Sequence, residues 1–90
     1  MAYTLEFRSN IDGSLLEWDG RRFTFEGVIA EMRERLRMSR LGAPFGSAHF
    51  SIEPGMESRA LSQIREMERT FRLSGKVPVA GGAYMRVTCD

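Results

Sequence analysis

A chain of 90 residues with 42% hydrophobic and 28% charged side chains has the composition of an ordinary globular domain with one modest core, which excludes intrinsic disorder and a multi-domain assembly. A formal net charge of +1 excludes polyanion binding driven by bulk charge alone. The single cysteine, Cys89, excludes an intrachain disulfide and the stapled plan of small secreted domains, so a cytoplasmic protein is expected.

Tyr3, Leu5 and Phe7 alternate with Thr4, Glu6 and Arg8, the period of a strand with one buried face. The same segment lacks the basic region and apolar run of a signal peptide. Asn10, Asp12 and Gly13 then mark a turn. In the following LLEWDGRRFTF, Asp19-Gly20 suits a type I′ turn, whose two central residues both need positive φ, and alternating runs flank it. This predicts a hairpin in which Leu16 and Trp18 share a buried face with Phe23 and Phe25, and hence a three-stranded antiparallel meander.

Phe25, Val28, Ile29, Met32 and Leu36 fall on one stripe at helical spacing, predicting a helix over 26–41 that stops near Gly42, with Pro44 beyond it. A strand over 48–53 follows, closed by Pro54-Gly55. A second helix over 56–73 buries Met56, Ala60, Ile64, Met67 and Phe71, with Leu61 at the margin. A loop containing Pro78 and Gly81-Gly82 leads to a last strand over 83–89. No stretch approaches the roughly 20 apolar residues of a membrane span.

The expected order is βββαβαβ in a single α+β domain over 1–90. Strands joined through a helix are usually parallel and right-handed, so a mixed five-stranded sheet is expected. Each helix has one apolar stripe, which places both on one face of the sheet in a two-layer sandwich and leaves the other face open.

The two helix-then-strand segments also resemble each other. A constant offset of 35 residues matches Ile29 with Ile64, Glu31 with Glu66, Met32 with Met67, Arg37 with Arg72, Ser39 with Ser74, Gly46 with Gly81 and Ala48 with Ala83. Internal duplication gives this pattern; so does convergence, because core packing asks the same periodicity of both segments.

Signals for enzyme chemistry are weak. His49 and Cys89 are the only residues of their types, so no Cys/His nucleophilic pair and no zinc-ligand spacing can be read. His49 and Ser51 share one side of a strand without the orienting third group that a catalytic dyad requires. Gly81-Gly82 precedes a strand, whereas phosphate-cradling loops precede a helix. Glu66 and Glu68 diverge on their helix. Neither an enzyme, a cofactor nor a metal site is expected.

Two surfaces remain. Arg33, Arg37 and Arg40 flank the first helix at i, i+4 and i+7, and Arg65, Arg69 and Arg72 repeat that spacing on the second. Rows of guanidinium groups suit an acidic protein or nucleoprotein partner. The open sheet face would place Arg22, His49, Tyr84 and Arg86 together, an aromatic and cationic set of the kind that stacks unpaired bases, although Glu6, Glu17 and Glu53 on that face would repel phosphate. Twelve arginines against one lysine, Lys76, fit either use, but GC-rich coding gives the same bias with no functional meaning and is the favoured cause.

The expected function is non-catalytic: a small protein that binds and occludes a surface of a protein or nucleoprotein. Motif-poor single-domain chains of this size are common among phage-encoded inhibitors of host machinery, including anti-CRISPR proteins, and the chain is similar to them in kind alone. The alternatives are a single-stranded nucleic-acid or RNA binder using the open sheet, and a self-associating structural protein that pairs through an edge strand as a homodimer.

Overall fold

The computed structural model describes residues 2–40, 44–45, 48–49, 54–73, 75–79 and 83–89, without the side chains at 38–40, 44–45, 48–49 and 54–55. Its elements are β1 (Tyr3–Ser9), β2 (Leu15–Phe23), α1 (Phe25–Arg40), β3 (Pro44–Phe45), β4 (Ala48–His49), α2 (Pro54–Thr70), β5 (Val77–Val79) and β6 (Ala83–Cys89). The class is α+β with two helices, as expected. The sheet is not the expected one: four strands in the order β2-β1-β6-β5 pair antiparallel throughout, and β3 and β4 form a separate two-stranded hairpin.

Each departure from the βββαβαβ expectation has a physical reason. No turn forms at Asp19-Gly20, because β2 continues past it, with a register shift against β1 between Asp19 and Phe23; among the described glycines positive φ occurs at Gly13 and Gly75, so Gly20 lacks the geometry a type I′ turn demands. The β1–β2 reversal uses the earlier signal, with Ser9 and Gly13 hydrogen-bonded across it, Asp12 Oδ1 accepting from the Ser14 N–H, and Gly13 at φ 74°. A third strand has no room, because Thr24 caps α1: its Oγ1 accepts from the Gly27 N–H and its carbonyl from the Val28 N–H.

The expected parallel pairing also fails. The two helices and the β3–β4 hairpin carry the chain from β2 on one edge of the sheet to β5 on the other, so the strands flanking this connection are not neighbours. β6 instead pairs in unbroken register with β1, from Tyr3 opposite Cys89 to Ser9 opposite Ala83. β5, expected as loop because of Pro78, is an edge strand, where a missing N–H is tolerated. Of the strand expected over 48–53, residues 48 and 49 lie in β4, and the remainder falls outside the described residues.

One core holds the layers together. Leu5 and Phe7 of β1, Ala83 and Met85 of β6, and Val77 and Val79 of β5 meet Val28, Ile29, Met32 and Leu36 of α1 and Ala60, Ile64 and Met67 of α2. Both helices therefore lie on the same face of the sheet, as the single apolar stripe of each requires. Ile29 and Ile64, and Met32 and Met67, are buried in matching positions, but the correspondence ends where Leu36 is buried and its counterpart Phe71 is 75% exposed. Phe71 was expected on the buried stripe. It lies just beyond α2 at φ 56°, with the Arg72 N–H donating to the Met67 carbonyl, a left-handed helix cap that swings its ring out of the stripe. The ring rests on Phe25, with centroids 5.3 Å apart, and Phe25 meets Tyr3 edge-on.

The continuation of β2 past Gly20 is testable by urea denaturation. Gly20→Ala should be neutral or stabilising by up to about 1 kcal/mol, since its Cβ would touch the Trp18 ring at an ordinary 3.4 Å. Gly13→Ala, at a left-handed φ, should cost about 1–2 kcal/mol. A hairpin at Asp19-Gly20 would reverse that order.

Candidate interaction surface

The orientation of β2 decides which side chains this protein shows. Register places Leu5 opposite Asp19, Phe7 opposite Glu17 and Glu6 opposite Trp18. Directly opposed residues share a face, so Glu17 and Asp19 turn toward the helices with Leu5 and Phe7, and Trp18 turns away from them. The sequence expectation, with Trp18 and Leu16 buried and Glu17 outward, is inverted.

A compact charge network explains the inversion. Arg35 of α1 donates from Nη2 to Asp19 Oδ2 at 2.7 Å and from Nε to Glu31 Oε1 at 3.0 Å, while its guanidinium sits 5.4 Å from the centre of the Phe7 ring. Arg21 bridges the same two carboxylates, 2.6 Å from Asp19 Oδ2 and 2.6 Å from Glu31 Oε1. The Asp19 and Arg35 side chains are only 8% and 10% exposed, so their contact is largely desolvated. Hydrogen bonds from Arg21 and Arg35 hold the Asp19 carboxyl at about 2, against the opposing effect of burial.

With the carboxylates held under α1, alternation sends the apolar residues outward. Trp18 is 59% exposed, Leu15 and Leu16 about half exposed, and Ile11, in the preceding turn, is 93% exposed. The indole lies over Gly20, whose missing side chain leaves it a seat on the strand. A β-bulge doubles Leu15 and Leu16 against Arg8, so both stand out at once. Four of the six large apolar side chains exposed among the described residues thus fall within residues 11–18, on an edge strand and its turn.

The rest of this open face is less acidic than expected. Glu17 is on the other side, and Glu6 is buried and accepts from Arg8 at 2.7 and 3.4 Å. Thr4 is buried too, its hydroxyl hydrogen-bonded to that of Thr88.

The structure disperses the two constellations expected from sequence. Of the helix arginines, Arg33 makes a paired contact across the helices to Glu68, at 2.9 and 3.3 Å. Arg37 binds Glu34 and Arg69 binds Glu66, each one turn away. These three are neutralised within the chain; Arg65 and Arg72 are exposed, and the Arg40 side chain lies outside the described residues. Of the nucleic-acid set, Tyr84 is only 4% exposed, with Lys76 Nζ 4.8 Å over its ring, so no base can stack on it as it stands. His49 is in the β3–β4 hairpin rather than the main sheet, with its side chain outside the described residues. Arg22 is exposed on the edge strand and Arg86 on β6, two strands away. Trp18 is the aromatic ring that the open face does offer, and the Asp19-Gly20 turn signal concealed it.

Among the described residues no three His, Cys, Asp or Glu side chains group as metal ligands, and no helix is long and apolar enough to cross a membrane. No protein-family model, curated protein or solved structure matches the chain.

The network carries a pH signature. A carboxyl whose folded pKa is depressed adds stability that is present above its unfolded value, near 3.8, and lost as pH falls toward about 2. Urea denaturation between pH 5 and pH 2 should show wild type losing on the order of 2 kcal/mol through Asp19, and Asp19→Asn should lack that component. Arg35→Leu, which removes one of the two guanidinium groups held by Asp19 and leaves Arg21, should cost about 1–3 kcal/mol at neutral pH.

Proposed function

We propose that this chain is a small non-catalytic interaction protein that docks on a protein or nucleoprotein partner and occludes its surface, in the manner of phage-encoded inhibitors of host machinery. The observation that carries the reading is the apolar strip of Ile11, Leu15, Leu16 and Trp18 on an exposed edge strand. Large apolar side chains gathered on a soluble domain mark docking sites, and an exposed tryptophan is the residue type most enriched among interface hot spots. The helix arginines become secondary, because Arg33, Arg37 and Arg69 are already paired within the chain.

A second reading, single-stranded nucleic-acid binding on the open face, draws support from Trp18 and Arg86 and from the burial of Glu6. Self-association through β2 is the third, since an edge strand invites pairing.

Affinity capture from the native host separates them. A partner retained by wild type should be lost with Leu16→Ser/Trp18→Ser, a change of about 2 kcal/mol or more, and kept by Arg33→Glu/Arg37→Glu/Arg40→Glu. The opposite pattern moves the contact to the helices. A mobility shift of single-stranded RNA at low salt that fades steeply with added salt would favour the second reading, and a dimer mass by light scattering that Trp18→Ser abolishes would favour the third.

A further inference from the structure

A cleft of about 170 Å³ opens between α2, β5 and the β1–β2 turn, lined by Asn10, Met56, Arg59, Gln63, Lys76, Pro78 and Tyr84. We propose that it binds the phosphoryl group of a phosphomonoester, with Arg59 and Lys76 as the charge partners and the amides of Asn10 and Gln63 as further donors.

Charge is the first reason. Six of the arginines, Arg8, Arg21, Arg33, Arg35, Arg37 and Arg69, have their charge met by a carboxylate of the chain. Arg59 and Lys76 are exposed, and among the described residues no carboxylate pairs with either. Among the described residues no carboxylate lines the cleft. Two cations from separate elements thus converge on one concavity, leaving a local charge of about +2 that matches the −1.5 to −2 of a phosphomonoester near pH 7 better than the −1 of a carboxylate or phosphodiester.

Construction is the second. Lys76 is held with its ammonium over the buried Tyr84 ring rather than left to wander on its flexible stem. The residue before it, Gly75, takes φ 94°, and a Cβ there would come within 2.5 Å of Gln63 Nε2, so a glycine at this point lets the chain close on the glutamine amide and deliver Lys76 beside it. Arginine supplies a planar fork and lysine a point charge, the pair of donors suited to a tetrahedral oxyanion. The cleft is well below the roughly 300–1,000 Å³ of sites for drug-sized ligands, which restricts recognition to the phosphoryl group and its immediate ester.

The test titrates the isotope-labelled full chain with phenyl phosphate at constant ionic strength, following amide shifts, with benzoate and diphenyl phosphate as the monoanionic carboxylate and diester. Phenyl phosphate should give saturable shifts confined to the neighbourhood of residues 10, 59, 63, 76 and 84. Arg59→Gln and Lys76→Gln should each weaken it about tenfold or more, whereas Arg65→Gln, which removes an equal charge elsewhere on α2, should leave it unchanged. Affinity should rise between pH 5 and pH 7, as the ester loses its second proton near pH 6. Arg59 and Lys76 are both exposed, so the variants should keep the wild-type circular dichroism, and two separate substitutions guard against the misfolding of one. Non-saturable shifts, equal losses in Arg65→Gln, or benzoate or diphenyl phosphate binding as tightly as phenyl phosphate would overturn the assignment.

Discussion

The contact between Asp19 and Arg35 governs what this molecule presents to its surroundings. An ion pair this poorly hydrated adds little net stability over well-packed apolar residues, but it penalises any arrangement that separates its partners. A one-residue slip of β2 would exchange its faces, taking Asp19 out from under α1 and removing one of the carboxylates that hold the desolvated Arg35. The exposure of Trp18 and Leu16 is therefore enforced by the polar side of the same strand. Tucking the tryptophan under the helix would bury apolar area but would break the desolvated contact between Asp19 and Arg35.

The same accounting applies across the surface. Arginine is abundant, yet much of it is occupied: Arg8 with Glu6, Arg33 with Glu68, Arg37 with Glu34, Arg69 with Glu66. Exposed pairs of this kind contribute about 0–1 kcal/mol each. Their importance lies in removing positive charge from most of the molecule, so the cations left over acquire meaning by position. Arg59 and Lys76 meet at a concave place floored by a buried tyrosine, while the apolar strip lies on the opposite edge of the sheet. An exposed apolar strand and a small polar cleft thus share one 90-residue domain, meeting at the β1–β2 turn, which carries Ile11 of the one and Asn10 of the other.

Both helices were legible because each has a stripe at 3.6-residue spacing and a stop signal, and Val28, Ile29, Met32, Leu36, Ala60, Ile64 and Met67 are all buried as that spacing requires. The strands at the two ends were legible from alternation. The Asp19-Gly20 signal misled because turn preference is a local statement, whereas α1 supplies Arg35 to the aspartate from sixteen residues away. Phe71 misled for a related reason: the helical stripe continues through it in sequence, but the chain leaves the helix one residue earlier.

Composition and periodicity by themselves determined the class of domain, the two helices, the apolar face of each and the strands that open and close the chain, because these follow from the spacing of apolar residues along a regular backbone. Tertiary structure alone decided that β6 lies against β1, that β2 shows its tryptophan rather than its carboxylates, which arginines are spent on glutamates, and that Lys76 arrives over Tyr84. Each depends on residues far apart in the chain. Whether a cation or an aromatic ring is free for a partner is set by what folds against it, and residue spacing does not record that.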